Sequence, residues 1–271
     1  MKNFSFVLFV LFLLCPVCVT LGKTLPDQFN NKDVRGWIIL SDDMNAAIQT
    51  IKAAKEYDIN QLQLSHEIIH DLREIKTEKV CAQVNELVNL AHSEEINEVL
   101  LWDHSLYDID YYPERFRTGP GGTIDLDNTE FWEWLKDDYR QMLDRVSEAD
   151  GLVLTFIETG AYAERQFSKK MKSSEEKLAA VVNAISDVLI GERKKKLYIE
   201  YLKYDEVILM MKETPHDFFL THPDNYYIQK MDRPVIVEFD LGNEYSGQGV
   251  VANPWPEHVM KRWNSYIHCP N

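Results

Sequence analysis

Beyond its first 22 residues the chain has only two cysteines, Cys81 and Cys269. Two thiols allow one disulfide in an oxidising compartment, but no cysteine framework and no CxxC metal site. (The "CPVC" at 15–18 has the right spacing but lies inside an apolar leader.) Positive charge is scarce too: 29 basic residues face 44 acidic ones, a formal net charge of −15. That balance argues against nucleic acid as a partner, because phosphate binding needs a basic face. An anionic polymer is an equally poor match unless a local cation waits for it in a cleft. The usual nucleotide fingerprints are missing as well. No GxGxxG follows the first apolar strand and no GxxxxGK[ST] occurs anywhere, so no nucleotide cofactor is expected, nor any other. Repeats, low-complexity tracts and linkers that would split the chain are also absent.

The first 22 residues are of a different character. Lys2 gives a short positive start, Phe4 to Leu14 is apolar apart from Ser5, and Pro16 with the small residues Thr20 and Gly22 follows. This is the pattern of a secretory signal peptide, residues 1–22, too short to be a comfortable membrane span. The expected product is secreted, periplasmic or extracellular, with no stable membrane insertion after cleavage. Residues 23–271 then form one domain; the whole chain, 45% hydrophobic and 27% charged, has an ordinary globular composition.

Within that domain apolar strands alternate with amphipathic stretches. "GWIIL" (36–40), "INQLQLS" (59–65), "EVLLWDHS" (98–105), "GLVLTFIETG" (151–160), "KLYIEYL" (196–202) and "VIVEFDL" (235–241) read as strands. Helical spacing runs through 44–57, 78–93, 131–146, 174–190 (capped by Ser173 or Ser174) and 256–266. The run Lys194 to Lys196 reads as a solvated helix end. Strands alternating with helices mean βαβ units and a parallel sheet. The expected fold class is α/β, a (β/α)8 TIM-type barrel that is incomplete. Its eighth βα unit has no counterpart before Asn271. A parallel crossover needs about a dozen residues, and little separates "KLYIEYL" from "VILMMKE" (207–213). Either "YDEVILMMK" is itself the crossover helix, with "DFFLTH" (217–222) the next strand, or a helix is missing.

A parallel barrel keeps its chemistry at the carboxyl ends of its strands. There the sequence places Trp102, Asp103 and His104, then Glu158 in "FIETG" and Glu244 in "LGNEYSGQG", with Asp217 or Asp224 after the sixth strand. Glu158 follows an almost wholly apolar run, and burial there would raise its pKa, as a general acid requires. Acidic groups on a barrel mouth, beside aromatic rings such as Trp102, Tyr107, Tyr111, Tyr112, Trp132 and Trp255, point to glycoside hydrolysis. "SHEIIH" (65–70) has the letters of HExxH, but that zinc motif needs a long helix, whereas His66 sits at a strand end; no metal site is expected. A metal-dependent isomerase built on His66, Asp103 and His104 is a lesser alternative.

Three segments resemble family 67 glycoside hydrolases, the α-glucuronidases, over roughly residues 150–255. "EFDLGNEYSGQG" is similar to that family's strand and EYxGQ turn, and "FIETG" to the segment carrying its general acid. "VILMMKETPHDFF" (207–219) resembles the strand that runs through a Lys and a Pro to an Asp-Phe pair. The resemblance implies that Glu158 is the acid, that Asp217 or Glu244 is the base, and that Lys212 contacts a uronate. It implies an inverting hydrolase of oligosaccharides or polysaccharides carrying uronic acid; Trp102 and His104, from their place at the end of the third strand, are expected as further substrate contacts. It also implies that "VILMMKE" is the sixth strand. A non-catalytic, vestigial glycan-binding barrel is the alternative.

Overall fold

The computed structural model describes residues 34–41, 43–106, 108–156, 162–199, 208–213, 224–231, 235–239 and 256–266. The leader, Cys269, and the candidates Glu158, Asp217 and Glu244 lie outside the described residues, as do Tyr107, Trp255 and "DFFLTH".

Seven strands form one parallel sheet in strict chain order: β1 (Gly36–Ile39), β2 (Gln61–Leu64), β3 (Glu98–His104), β4 (Gly151–Thr155), β5 (Lys196–Ile199), β6 (Ile208–Lys212) and β7 (Val235–Glu238). A doubly wound sheet reverses its order at a switch point; this one does not. Its α-helices are α1 (Met44–Ala54), α2 (Glu78–Ser93), α3 (Thr129–Arg145), α4 (Ser174–Ser186) and α5 (Pro256–Tyr266).

Alternation along each strand sends side chains to two faces. One face carries Leu62, Leu64, Val99, Leu101, Leu152, Leu154 and Leu197. All are buried in a single cluster with Ile51 of α1, Leu87 of α2, Met142 of α3 and Val182 of α4. The other face buries Leu100, Val153, Tyr198 and Met210 in a second cluster, with Trp102 and Ile236 packed against it. Neighbouring strands lie about 4.8 Å apart, so β2 and β6 would be roughly 19 Å apart in a flat sheet. Yet the Gln63 amide of β2 reaches Met210 Sδ of β6 at 3.7 Å, and Gln61 Nε2 of β2 donates to Tyr198 Oη of β5 at 3.2 Å. The sheet is therefore curled, with the second cluster on its concave side.

The helix starts have local causes. Asp43 caps α1 by accepting from Asn45 N and Ala46 N, and Asn128 caps α3 through Glu130 N. Ser173, not Ser174, caps α4, in a reciprocal capping box with Glu176. Residues Asp187–Glu192 continue α4 as a wider π-turn. At Gly151 a Cβ would stand 2.3 Å from the Lys196 carbonyl oxygen on β5, so only glycine lets these strands meet.

Two sequence readings need correction. Ile208–Lys212 is a strand paired in parallel with both β5 and β7, so "YDEVILMMK" is not a crossover helix. Only positions 200–207, eight residues, separate β5 from β6. The lysine run is not merely solvated either: Lys195 Nζ donates to Ser147 O at 2.6 Å, and Lys196 pairs with the buried Glu98.

Candidate functional site

Because the strands are parallel and in register, their carboxyl ends share one edge of the sheet. On β3, Glu98, Leu100, Trp102 and His104 fall on the concave face, while Val99, Leu101 and Asp103 fall on the helix face. Register carries the concave face from Trp102 through Val153 and Tyr198 to position 208, and alternation along β6 then gives Met210 and Lys212. Trp102, His104 and Lys212, three of the sequence candidates, thus belong to the same face at the same edge.

The Trp102 indole is held from below. Its N–H donates to Gln63 Oε1 at 2.9 Å, Gln63 Nε2 to Gln61 Oε1 at 3.0 Å, and Gln61 Nε2 to Glu98 Oε1 at 2.7 Å. An indole nitrogen only donates and an ionised carboxylate only accepts, so the two ends fix which way each glutamine amide points. Tyr198 Oη and Lys196 Nζ also donate to Glu98. This polar ladder closes the amino-terminal half of the concave face.

Around Trp102 lies a group of imidazoles. The His66 ring is 5.2 Å from the indole and 5.7 Å from His104. His70 stacks on His104 at 3.7 Å, with only 7° between the planes. The His104 Nδ1 lies 2.6 Å from the His70 carbonyl oxygen, which can only accept, so Nδ1 carries the proton and Nε2 is the basic nitrogen of the neutral ring. His66 takes a left-handed backbone, φ 48°, in a turn after β2, with its Nδ1 on the Ser65 hydroxyl. "SHEIIH" is therefore a turn and not the helix a zinc protease needs. The parallel planes of His70 and His104 do not converge on one point. Among the described residues no three His, Cys, Asp or Glu side chains are placed to hold a metal ion. The histidines' grouping had no signal in the sequence beyond that motif look-alike.

The trio His66, Asp103 and His104 is not assembled. Asp103 points to the helix face, where it accepts from Leu72 N at 3.1 Å, Arg73 Nη1 at 3.3 Å and Tyr139 Oη. Burial pushes this carboxyl up to about 6 despite the adjacent Arg73 guanidinium. Arg73 also binds Asp71 at 2.7 Å and lies within 5.2–5.4 Å of the rings of Tyr111, Tyr112 and Tyr139. Two of the rings offered for sugar stacking are thereby engaged elsewhere: Tyr112 is fully buried, and Tyr111 donates to Asp138. Trp132 donates to Leu126 O at 3.0 Å as a packing residue.

Lys212 is half-buried at the end of β6, in register with Glu238 of β7. Its carbonyl accepts from Asn225 Nδ2 at 2.8 Å, and the next residue's N–H donates to Glu238 O at 2.8 Å. Glu213 is buried with Arg262 of α5, Nε to Oε1 3.0 Å, and burial raises its carboxyl pKa. Tyr266 Oη donates to Glu213 O at 3.3 Å and accepts from Asn225 N at 2.7 Å. The closing helix is thus docked under the Lys212 backbone. Its Val259 and Trp263 are half-buried, with the Phe239 ring 6.4 Å from Trp263. Among the described residues Cys81 forms no disulfide, and its Sγ lies 3.6 Å from Arg145 O.

β4 ends at Thr155, β6 at Lys212 and β7 at Glu238, three, five and six positions before Glu158, Asp217 and Glu244. No protein-family model matches the chain, and no curated protein matches it.

Proposed function

We propose that the chain is a secreted glycoside hydrolase built on an incomplete (β/α)8 barrel, acting on uronic-acid-bearing glycans as an α-glucuronidase-like inverting enzyme. The observation that carries this reading is the meeting of Trp102, His104 and Lys212 on one face and edge of a curled parallel sheet. β4, β6 and β7 run toward that edge, and the three candidate carboxylates follow them in sequence. In this reading a protonated Glu158 donates to the glycosidic oxygen while Asp217 or Glu244 activates water on the opposite side of the sugar. Inversion asks for about 6.5–9.5 Å between the two carboxyls. Lys212 offers the anionic sugar a local positive charge in a chain of net charge −15. Secretion rests on the apolar leader alone.

The test is release of glucuronic acid from a decorated xylo-oligosaccharide, with the first anomer followed by proton NMR. The expected first product is the β-anomer of the freed acid, lost in Glu158→Gln, whereas Lys212→Ala mainly raises KM. Full activity in Glu158→Gln, or initial release of the α-anomer, would sink the acid assignment or the inverting mechanism respectively. A second reading, a glycan-binding barrel without catalysis, draws on the eight-residue link between β5 and β6, shorter than a helical crossover. Cooperative melting and uronate-dependent binding with no hydrolysis over days would favour it.

A further inference from the structure

The turn that follows β6 holds a feature the sugar chemistry above does not use. Asn225, only 7% exposed, is tied down by three hydrogen bonds. Its N–H donates to Tyr266 Oη at 2.7 Å, its amide donates to Lys212 O at 2.8 Å, and its Oδ1 accepts from Tyr227 N at 3.0 Å. Ile228, 1% exposed, plugs the turn into the fold, and Lys230 N closes it on Tyr227 O at 3.0 Å. On this fixed backbone stand two rings left largely in water: Tyr226 is 62% exposed and Tyr227 63%. They are the most exposed large apolar side chains among the described residues, set edge to face 6.1 Å apart.

Two rings on a rigid turn are poor candidates for core packing and good ones for stacking. A tyrosine has just two side-chain torsions to lose, an apolar ring face and a polar tip. Their place selects the ligand. Asn225, the residue before the pair, is hydrogen-bonded to the Lys212 carbonyl, so the pair follows directly on a residue anchored to the backbone of the lysine proposed for the uronate. Lys230 Nζ lies 5.0 Å from the Tyr226 ring centroid and covers one face of it; neutral pyranose rings bring C–H faces for the faces left over, while the chain's net charge of −15 disfavours a polyanion. We propose that Tyr226 and Tyr227 form a subsite for the neutral sugar units of the chain that carries the uronic acid. The inference rests on the reading of Lys212 under Proposed function. Two rings at 75° suit two successive sugars of a twisted chain.

Titration calorimetry with three probes tests it: free glucuronic acid, a neutral xylo-oligosaccharide, and that oligosaccharide bearing glucuronic acid. Tyr226→Ala and Tyr227→Ala should each weaken the decorated oligosaccharide by roughly two- to tenfold, leaving free glucuronic acid unaffected. Tyr226→Phe and Tyr227→Phe, which keep the ring, should bind as the parent does, and melting curves check that every variant is folded. Unchanged oligosaccharide affinity in the double alanine variant overturns the proposal. So does an equal loss for monosaccharide and oligosaccharide. Tyrosine-dependent binding of the neutral oligosaccharide without any affinity for glucuronic acid would leave this subsite standing and remove the uronate reading. Lys212-dependent binding of glucuronic acid with indifferent tyrosines would do the reverse. Failure of all three probes to bind overturns both.

Discussion

Asp103 shows how one strand position separates two neighbours of similar appearance. His104 faces the concave side, while Asp103 faces the helices, buried with Arg73 and Tyr139. The strand-end rule put both at a mouth; only the alternation of β3 tells them apart, and Arg73's burial had no sequence signal at all. The raised carboxyl has a consequence for stability. A carboxyl whose folded pKa lies above its unfolded one binds its proton more tightly in the folded chain. Its contribution therefore becomes more favourable as pH falls from about 6 toward the usual 3.8, and is least favourable above 6. Comparing thermal melting of the parent with Asp103→Asn should show the parent gaining on the order of 1–3 kcal/mol over the variant between pH 7 and pH 4. A difference independent of pH would contradict the burial of this group as an acid. Above pH 6 the variant should also be the less stable, since Arg73 keeps only Asp71 as a carboxylate partner.

Among the elements, those with long periodic patterns were legible to within four residues. α2 and α5 match their sequence bounds, and α1 and α4 fall short only where a tighter 3-10 turn and a wider π-turn take over. β6 was not legible from its own residues, because a five-residue apolar run fits a strand or a buried helix turn equally well. Its pairing with β5 and β7 decides for the strand. α5 is instructive in another way. Among the described residues Arg262 and Tyr266 give it a polar hold on the end of the sheet, beside the half-buried Val259 and Trp263. Removing that guanidinium strands Glu213 without its cation. Arg262→Ala should cost about 3–5 kcal/mol in urea unfolding at pH 7. The cost should shrink at lower pH, where Glu213, its carboxyl already raised by burial, takes up a proton. A loss under about 1 kcal/mol, or one equal at both pH values, would show that α5 is held by its apolar contacts instead.

For the whole molecule, chain order, parallel pairing and a barrel-type curl were readable from the alternation of strands and helices, but the contacts that set the curl were not. Curvature depends on which concave residues meet across the sheet, as Gln63 and Met210 do, and no local pattern encodes that contact. Among the described residues β1 and β7 each pair with one neighbour, so the sheet ends in strands whose outer backbone groups lack a strand partner there. Edges of that kind pair with other chains. The purified chain should show concentration-dependent self-association in light scattering, and a monodisperse monomer with sharp two-state melting would refute this. Last, the ladder from Trp102 to Glu98 packs Gln61, Glu98 and Tyr198 together on the concave side, so a group entering from the carboxyl-end edge meets the Trp102 indole before any of them.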